Sequence, residues 1–509
     1  MLTKRISIIL ISLLIIIWRS TAFSIIDSAN IYGIWTKDGS PYLIYNDVEI
    51  PQDTSLSIEP GVQIIFQGHY KIEVFGGLFA TGNENDSIFF CINDTTGFSL
   101  VDSSVGSWNG IDIHQPDNSL QEIKFSYCKF EYSKGLGFDE GGTIDFINNC
   151  KKVIIDHCTF IHNYGYYGGC IYYDGAFIQG DVQITNCSFK NNKAYLGGAI
   201  YLWWYNHAHL ISHNTFFTNQ ANSGGALFMS GGEINHNLFY RNLAFEYGGA
   251  VWNGSSTSLV IENSIFNEND APYGGAYYVN NGAFHSKIIN CTMINNLSEN
   301  SVLFIGSNAV GDFQIINTII WNPGSESIVR ESSETEINVI FSLIQNASDS
   351  IWFSDSCIDL NPKIVAPEQH NYHLNWDSPA IDAGLYDTSG YQLNETDFYD
   401  EPRINNGRID IGAVEYDTSF VAINPKDLIE HEIRIYPNPS FNYIRIESTN
   451  KNLIIKELIL YDFGGKVIMS ETVDDFYKVL KVDHLLSGAY LLKANFKNGY
   501  TYSRQIIKK

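Results

Sequence analysis

Apolar and polar residues alternate in short runs along most of the chain. Leu56 and Ile58, then Val62, Ile64 and Phe66, then Ile72 and Val74, place an apolar side chain at every second position. That is the period of a half-buried strand, and no long segment sustains the 3.6-residue period of a helix. From about residue 128 to 304 the alternation is packaged into a repeat. FIHN (160–163) is followed by GGCI, FKNN (189–192) by GGAI, FFTN (216–219) by GGAL, FYRN (239–242) by GGAV and FNEN (266–269) by GGAY. The Phe-to-Gly spacing is 8, 8, 8, 9 and 8 residues, and successive Phe lie 29, 27, 23 and 27 residues apart.

A unit this short cannot bury its own apolar face, so the repeats must stack as coils of a solenoid. Equivalent residues then form columns about 4.8 Å apart. Phe130, Phe160, Phe189, Phe216, Phe239 and Phe266 are expected to point inward. Asn163, Asn192, Asn219, Asn242 and Asn269 are expected to ladder at a turn, with the Gly pairs at the following corner. Cys128, Cys158, Cys187 and Cys291 share one position with Asn214 and Asn237. That mixture reads as an internal ladder of small side chains, not as disulfides.

Each end of the array differs from its middle. INCTMINN, IINTIIWN and VIFSLIQN lack the Gly pair and read as terminal coils. At the other end Lys4 and Arg5 precede an apolar run over residues 6–18 and a few small residues, the pattern of a signal peptide ending near Ala22 or Ser24. The expected organisation is a signal peptide (1–24), an N-terminal cap with the first coils (25–119), the repeat array (120–357), a closing segment (358–416), a linker (417–430) and a C-terminal module (431–509). No segment after the leader is apolar enough to cross a bilayer.

Charge narrows the partners. The 509 residues carry 31 Lys and Arg against 56 Asp and Glu, a net charge of −25. Such a surface repels nucleic acid and anionic membranes. The eight cysteines form no CxxC motif.

Four stretches carry resemblances. SLSIEPGVQIIF, IEVFGGLFATG and SWNGIDI (from 55, 72 and 107) resemble the opening coils of secreted bacterial right-handed parallel β-helix proteins. The FxxN and GGA[ILV] pairing resembles the repeats of polymorphic outer-membrane proteins, which are β-helical surface proteins and adhesins. SPAIDAG (378–384), Pro402-Arg403 and DIGAVEY (410–416) resemble the closing segment of β-helix proteins of the choice-of-anchor Q type, although Asp400-Glu401 stands where that family usually has a Gly. YPNPS (436–440), Leu460-Tyr461-Asp462 with Gly465-Lys466, SGAY (487–490) and the basic end resemble the type A C-terminal sorting domain of the type IX (Por) secretion system of Bacteroidetes. The implied fold is all-β: a right-handed parallel β-helix followed by a small Ig-like β-sandwich. The implied destination is the cell surface or the medium, with the type IX machinery as partner.

The chemistry is sparse. Asp145, Asp174 and Asp181 are the best carboxylate candidates for a catalytic role, and Arg241 is the only arginine from residue 31 to 329. The histidines show no fixed ligand spacing, so no metal site is expected. Ca²⁺ would suit acidic turns, but no GGxGxD repeat is present. Candidate ligand-binding residues are the aromatics after the Gly pairs: Tyr172, Tyr201, Trp203, Trp204, Tyr205, Trp252 and Tyr278. Alternation sends them outward, where rings suit the apolar faces of sugars or are covered by turns. The expected function is non-catalytic binding or adhesion by a monomer, to glycans or other surfaces. A polysaccharide lyase or glycoside hydrolase acting in the groove is the alternative.

Overall fold

The computed structural model describes residues 23–100, 102–114, 123–137, 141–147, 152–174, 181–203, 209–254, 258–280, 285–386, 394–404, 407–417, 433–436, 440, 442–448, 454–462, 466–497 and 501–509. The chain divides into two compact units, residues 1–364 with 373–415, and residues 365–372 with 416–509.

The first unit is a parallel β-solenoid. Its described strands form three sheets of thirteen, eleven and twelve strands. One coil shows the plan. Ser188–Lys190 lies in the first sheet, Ile200–Trp203 in the second and Leu210–Ser212 in the third. Each strand pairs in register with its equivalent one coil on, such as Phe189 with Phe216 and Ile200 with Leu227.

Inside, the expected columns are present. The rings of Phe90, Phe130, Phe160, Phe189, Phe216, Phe239 and Phe266 stack successively with centroids 4.6 to 4.9 Å apart, all buried. The Asn ladder is continuous. Asn192 N and Nδ2 both donate to Asn219 Oδ1, at 3.1 and 3.0 Å, and Asn219 repeats this toward Asn242. Each Nδ2 also reaches back to a carbonyl of the coil before, as Asn219 does to Phe189 O. The cysteine column is a ladder of the same kind. Cys158 N donates to Cys187 Sγ, Cys187 N to Asn214 Oδ1 and Asn214 N to Asn237 Oδ1, and the seven described cysteines are free.

The two glycines of each pair have different reasons. Gly197 has φ +64° and its counterparts lie between +58° and +69°, a conformation costly for a side chain. Gly198 has room for none, because a Cβ there would lie 2.1 Å from Gly225 O of the next coil. The corner between the third sheet and the first turns without glycine. His157, Asn186, His213, His236, Asn263, Asn290 and Asn317 take φ of +44° to +56°. His and Asn tolerate this region better than most residues.

The described residues of 378–386, 394–404 and 407–415 cross this left-handed column as a strap. Asn317 Nδ2 donates to Asp410 O at 2.7 Å, Leu385 N donates to Asn317 Oδ1, and His236 Nε2 meets Asp397 O at 2.8 Å. Asn394 Nδ2 donates to Asn235 Oδ1 and Glu262 Oε2, both at 3.0 Å. The strap is tied internally by Arg403 and Glu415, paired at 3.1 Å and only 2–3% exposed. Arg403 also donates to Asn263 Oδ1.

Within residues 416–509 of the second unit, seven described strands form two antiparallel sheets. Ile433–Tyr436, Tyr443–Ser448 and Tyr477–Lys481 form one, and Val467–Asp475, Ile455–Tyr461, Gly488–Phe496 and Thr501–Lys508 the other. Their inward alternate residues, including Ile446, Leu458, Leu480 and Leu492, make a separate core. Among the described residues no helix is long and apolar enough to cross a membrane.

Candidate binding face

Each short strand of the second sheet points its middle residue away from the core. Read along the sheet, those residues form one column in register: Glu49, Glu73, Asp112, Asp145, Tyr172, Tyr201, Phe228, Trp252, Tyr278, Phe304 and Val329. Four carboxylates give way to six aromatics between Asp145 and Tyr172. On most of these strands the neighbours on either side, such as Ile171 and Tyr173, are core residues.

The aromatic half packs upon itself. Tyr201 stacks on Phe228 at 4.6 Å and 5°, and Phe228 meets the Trp252 ring edge-on at 4.5 Å. Side chains of the preceding turns cover it. Tyr167 lies 4.9 Å from Tyr201, and Tyr247 lies 4.6 Å from Tyr278. Tyr172, Tyr201, Phe228 and Tyr278 are consequently buried, and Trp203 and Trp252 half-buried. The column faces outward, as alternation requires, yet its rings are largely covered. The open aromatic surface lies one turn earlier, at Tyr195 (46% exposed), stacked on Tyr166 at 5.1 Å, and at Phe245 (57% exposed).

The acidic half is only partly compensated. Unit charges 5 Å apart repel by about 3 kcal/mol at an effective dielectric of 20. Lys71 Nζ sits 2.7 Å from Asp112 Oδ2, and Gly141 N donates to Asp145 Oδ2 at 3.2 Å. His114, stacked on Phe75, brings Nε2 to 3.9 Å from Glu73 Oε1.

The structure thus gathers Tyr172, Tyr201, Trp252, Tyr278 and Asp145 in one column. Asp174 and Trp203, paired in register, stand at its flank, with Asp174 exposed. Asp181 and Arg241 are not brought there. Asp181 opens a strand of the third sheet, paired with Lys152, and its side chain is outside the described set. Arg241 sits at the corner after the first sheet, its Nε 2.6 Å from Glu268 Oε2. Trp204 and Tyr205 lie outside the described residues. Sequence reasoning missed Glu49, Glu73 and Asp112. Their signal was the recurring triplet VEI, IEV, IDI and IDF, in which one acid stands between two core residues.

Residues 109–296 match the right-handed β-helix region, and residues 434–509 match the secretion system C-terminal sorting domain. The chain carries a right-handed β-helix and a secretion sorting domain. No curated protein matches the chain. The sorting domain implies export by the type IX system to the cell surface or the medium. The β-helix match takes in the column from Asp112 to Tyr278, and so spans the change from acid to aromatic.

Among the described residues, two groupings bring His and carboxylate atoms within 4.8 Å of one another: Glu73, Asp112 and His114, and His213, His236 and Asp400. In the second, the His213 and His236 rings stack at 4.5 Å and both His236 nitrogens are hydrogen-bonded, so the set serves the strap. Burial, then His213, lowers the pKa of His236 to about 4. Burial, then Glu233, raises that of Glu262 to about 7.

Proposed function

We propose that the mature protein, exported by its N-terminal signal peptide and its sorting domain, is a monomeric, non-catalytic surface protein that binds glycans or other surfaces. Binding would use the outer face of the second sheet and the aromatic turns beside it. One observation carries this reading: exposed Tyr195 and Phe245 stand in turns that lead into a column of six aromatics. Rings held by stacking on their neighbours lose little entropy when a sugar face packs on them. The likeness of the repeats to adhesins points the same way.

One observation favours the alternative, a polysaccharide-cleaving enzyme. Asp112 and Asp145 are adjacent and next to the aromatic column. A hydrolase needs two carboxylates flanking the scissile bond. These two stack on one side of any bound chain, Asp145 is 4% exposed, and Asp112 is engaged by Lys71. Binding is therefore the reading we hold.

A panel of soluble and insoluble polysaccharides, assayed for retention and for released reducing or unsaturated ends, tests it. Retention without product is expected. Product release would establish the enzyme, and absence of both would remove glycans from the account.

A further inference from the structure

The second sheet ends at the strand Glu326–Arg330, which pairs with Ser301–Ile305 on one side and with no described strand on the other. Residues 324–328, at and just before the start of that strand, and residues 345–352 line a half-open cavity of about 420 Å³. That volume falls in the range of small-molecule sites and admits a sugar ring.

Its lining has a definite chemistry. Trp352 packs partly against the end of the solenoid core and also lines the cavity. Ser325, Ser327, Gln345 and Asn346 supply hydroxyl and amide groups. Ser327 Oγ donates to Gln345 O at 3.0 Å, which ties the strand edge to the cavity wall. The Gln345 side-chain carbonyl has no hydrogen-bond donor among the described residues. That oxygen is shielded from water in the free protein, so a ligand would engage it by drawing the half-buried amide toward the cleft. The lining holds no Lys, Arg or His, and its one ionisable side chain is the exposed Glu326. Nothing there favours a phosphate or a carboxylate. The aromatic column of the second sheet ends on Val329 of this same strand.

We propose that this cavity is a carbohydrate subsite that takes one neutral sugar unit. It rests on the glycan reading above and places the end of a bound chain at the last coil. Trp352 would pack on the ring, and a sugar hydroxyl would donate to Gln345.

Saturation-transfer NMR on the full chain tests this with glucose, galactose, mannose and N-acetylglucosamine, with glucuronate as the charged control. Transfer to at least one neutral sugar is expected, with none to glucuronate. Gln345→Leu, a nearly isosteric change, should cut the signal at least about fivefold, and Trp352→Phe should weaken it while circular dichroism stays unchanged. No transfer to any neutral sugar, or transfer undiminished in both variants, would overturn the subsite. Polysaccharide retention read on the same samples separates the two proposals. Retention without a cavity signal sinks the subsite alone. A Gln345-dependent signal without retention supports the subsite and sinks the binding-face reading.

Discussion

Two kinds of column run along the β-helix, and they obey different rules. The inner Phe and Asn columns repeat one residue type over five or more coils, because each side chain's partner is its own copy above and below. The outer column of the second sheet changes from carboxylate to aromatic within a single step, from Asp145 to Tyr172. Stacking alone does not ask for that change, since stacked carboxylates repel where rings attract. Uniformity marks what holds the coils together. The inner cysteine column also changes type, to Asn, but keeps the same ladder bond, whereas the step from carboxylate to ring is the change that the proposed binding face would require.

The sharpest way to break this comparison is inside. Gly198→Ala places a Cβ 2.1 Å from Gly225 O, and only separation of two coils relieves it. We expect a loss of more than about 4 kcal/mol and little soluble protein, read by expression and thermal unfolding. Normal yield and Tm would show that the coils slide freely, and the inner columns would lose their explanatory role.

Asn219→Leu is next. It removes the acceptor of Asn192 N and Nδ2 and the donor to Phe189 O, all buried. Stranded buried groups of this kind cost about 3 kcal/mol in sum. Chemical denaturation should show one cooperative transition at a lower midpoint.

Where the left-handed column meets the strap, two titrations oppose each other. His236 has its folded pKa lowered to about 4. Its stability is whole above about 6.5 and is lost as the pH falls toward 4, because the unfolded histidine takes the proton first. Glu262 has its folded pKa raised to about 7. It holds a proton the unfolded chain has released, so stability is lost as the pH rises from about 4.5 to 7. In the wild type these two contributions offset each other between about pH 4.5 and 6.5, and each variant is read against that profile. Glu262→Gln should unmask a fall on acidification. His236→Asn, the residue the column uses at Asn263 and Asn290, should unmask a fall on going alkaline. Parallel profiles in all three proteins would refute the assignment.

How much of this was legible depends on whether a residue's partner is its own repeat. Phe189 and Asn219 could be placed from spacing alone, because position in the repeat fixes position in the column. The Gly pair could be placed at the corner, but not the division of labour between Gly197 and Gly198, which rests on a carbonyl of the next coil. His236 and Asn263 gave no sign of the strap, whose contacts come from more than a hundred residues further along the chain. The candidate face was half legible. Alternation sent Tyr172 and Tyr201 outward, but their cover by Tyr167 depends on how long turns fold back. Asp112 was overlooked because its coil lacks the Gly pair that marks the later ones.

The smallest expected effect on stability is on the outside, and it tests the other half of the comparison. Tyr195 and Phe245 have about half of their surface in water, and neither is among the buried members of the core. Truncating both to alanine should cost less than about 1 kcal/mol, since exposed positions away from caps and networks rarely cost more. If the outer face is selected for a partner, the same double variant should lose most polysaccharide retention while its Tm stays within a few degrees of wild type. A large drop in Tm would mean that these rings are further structural cover for Tyr201 and Phe228. The change from acid to aromatic would then belong to the stack, as the inner columns do.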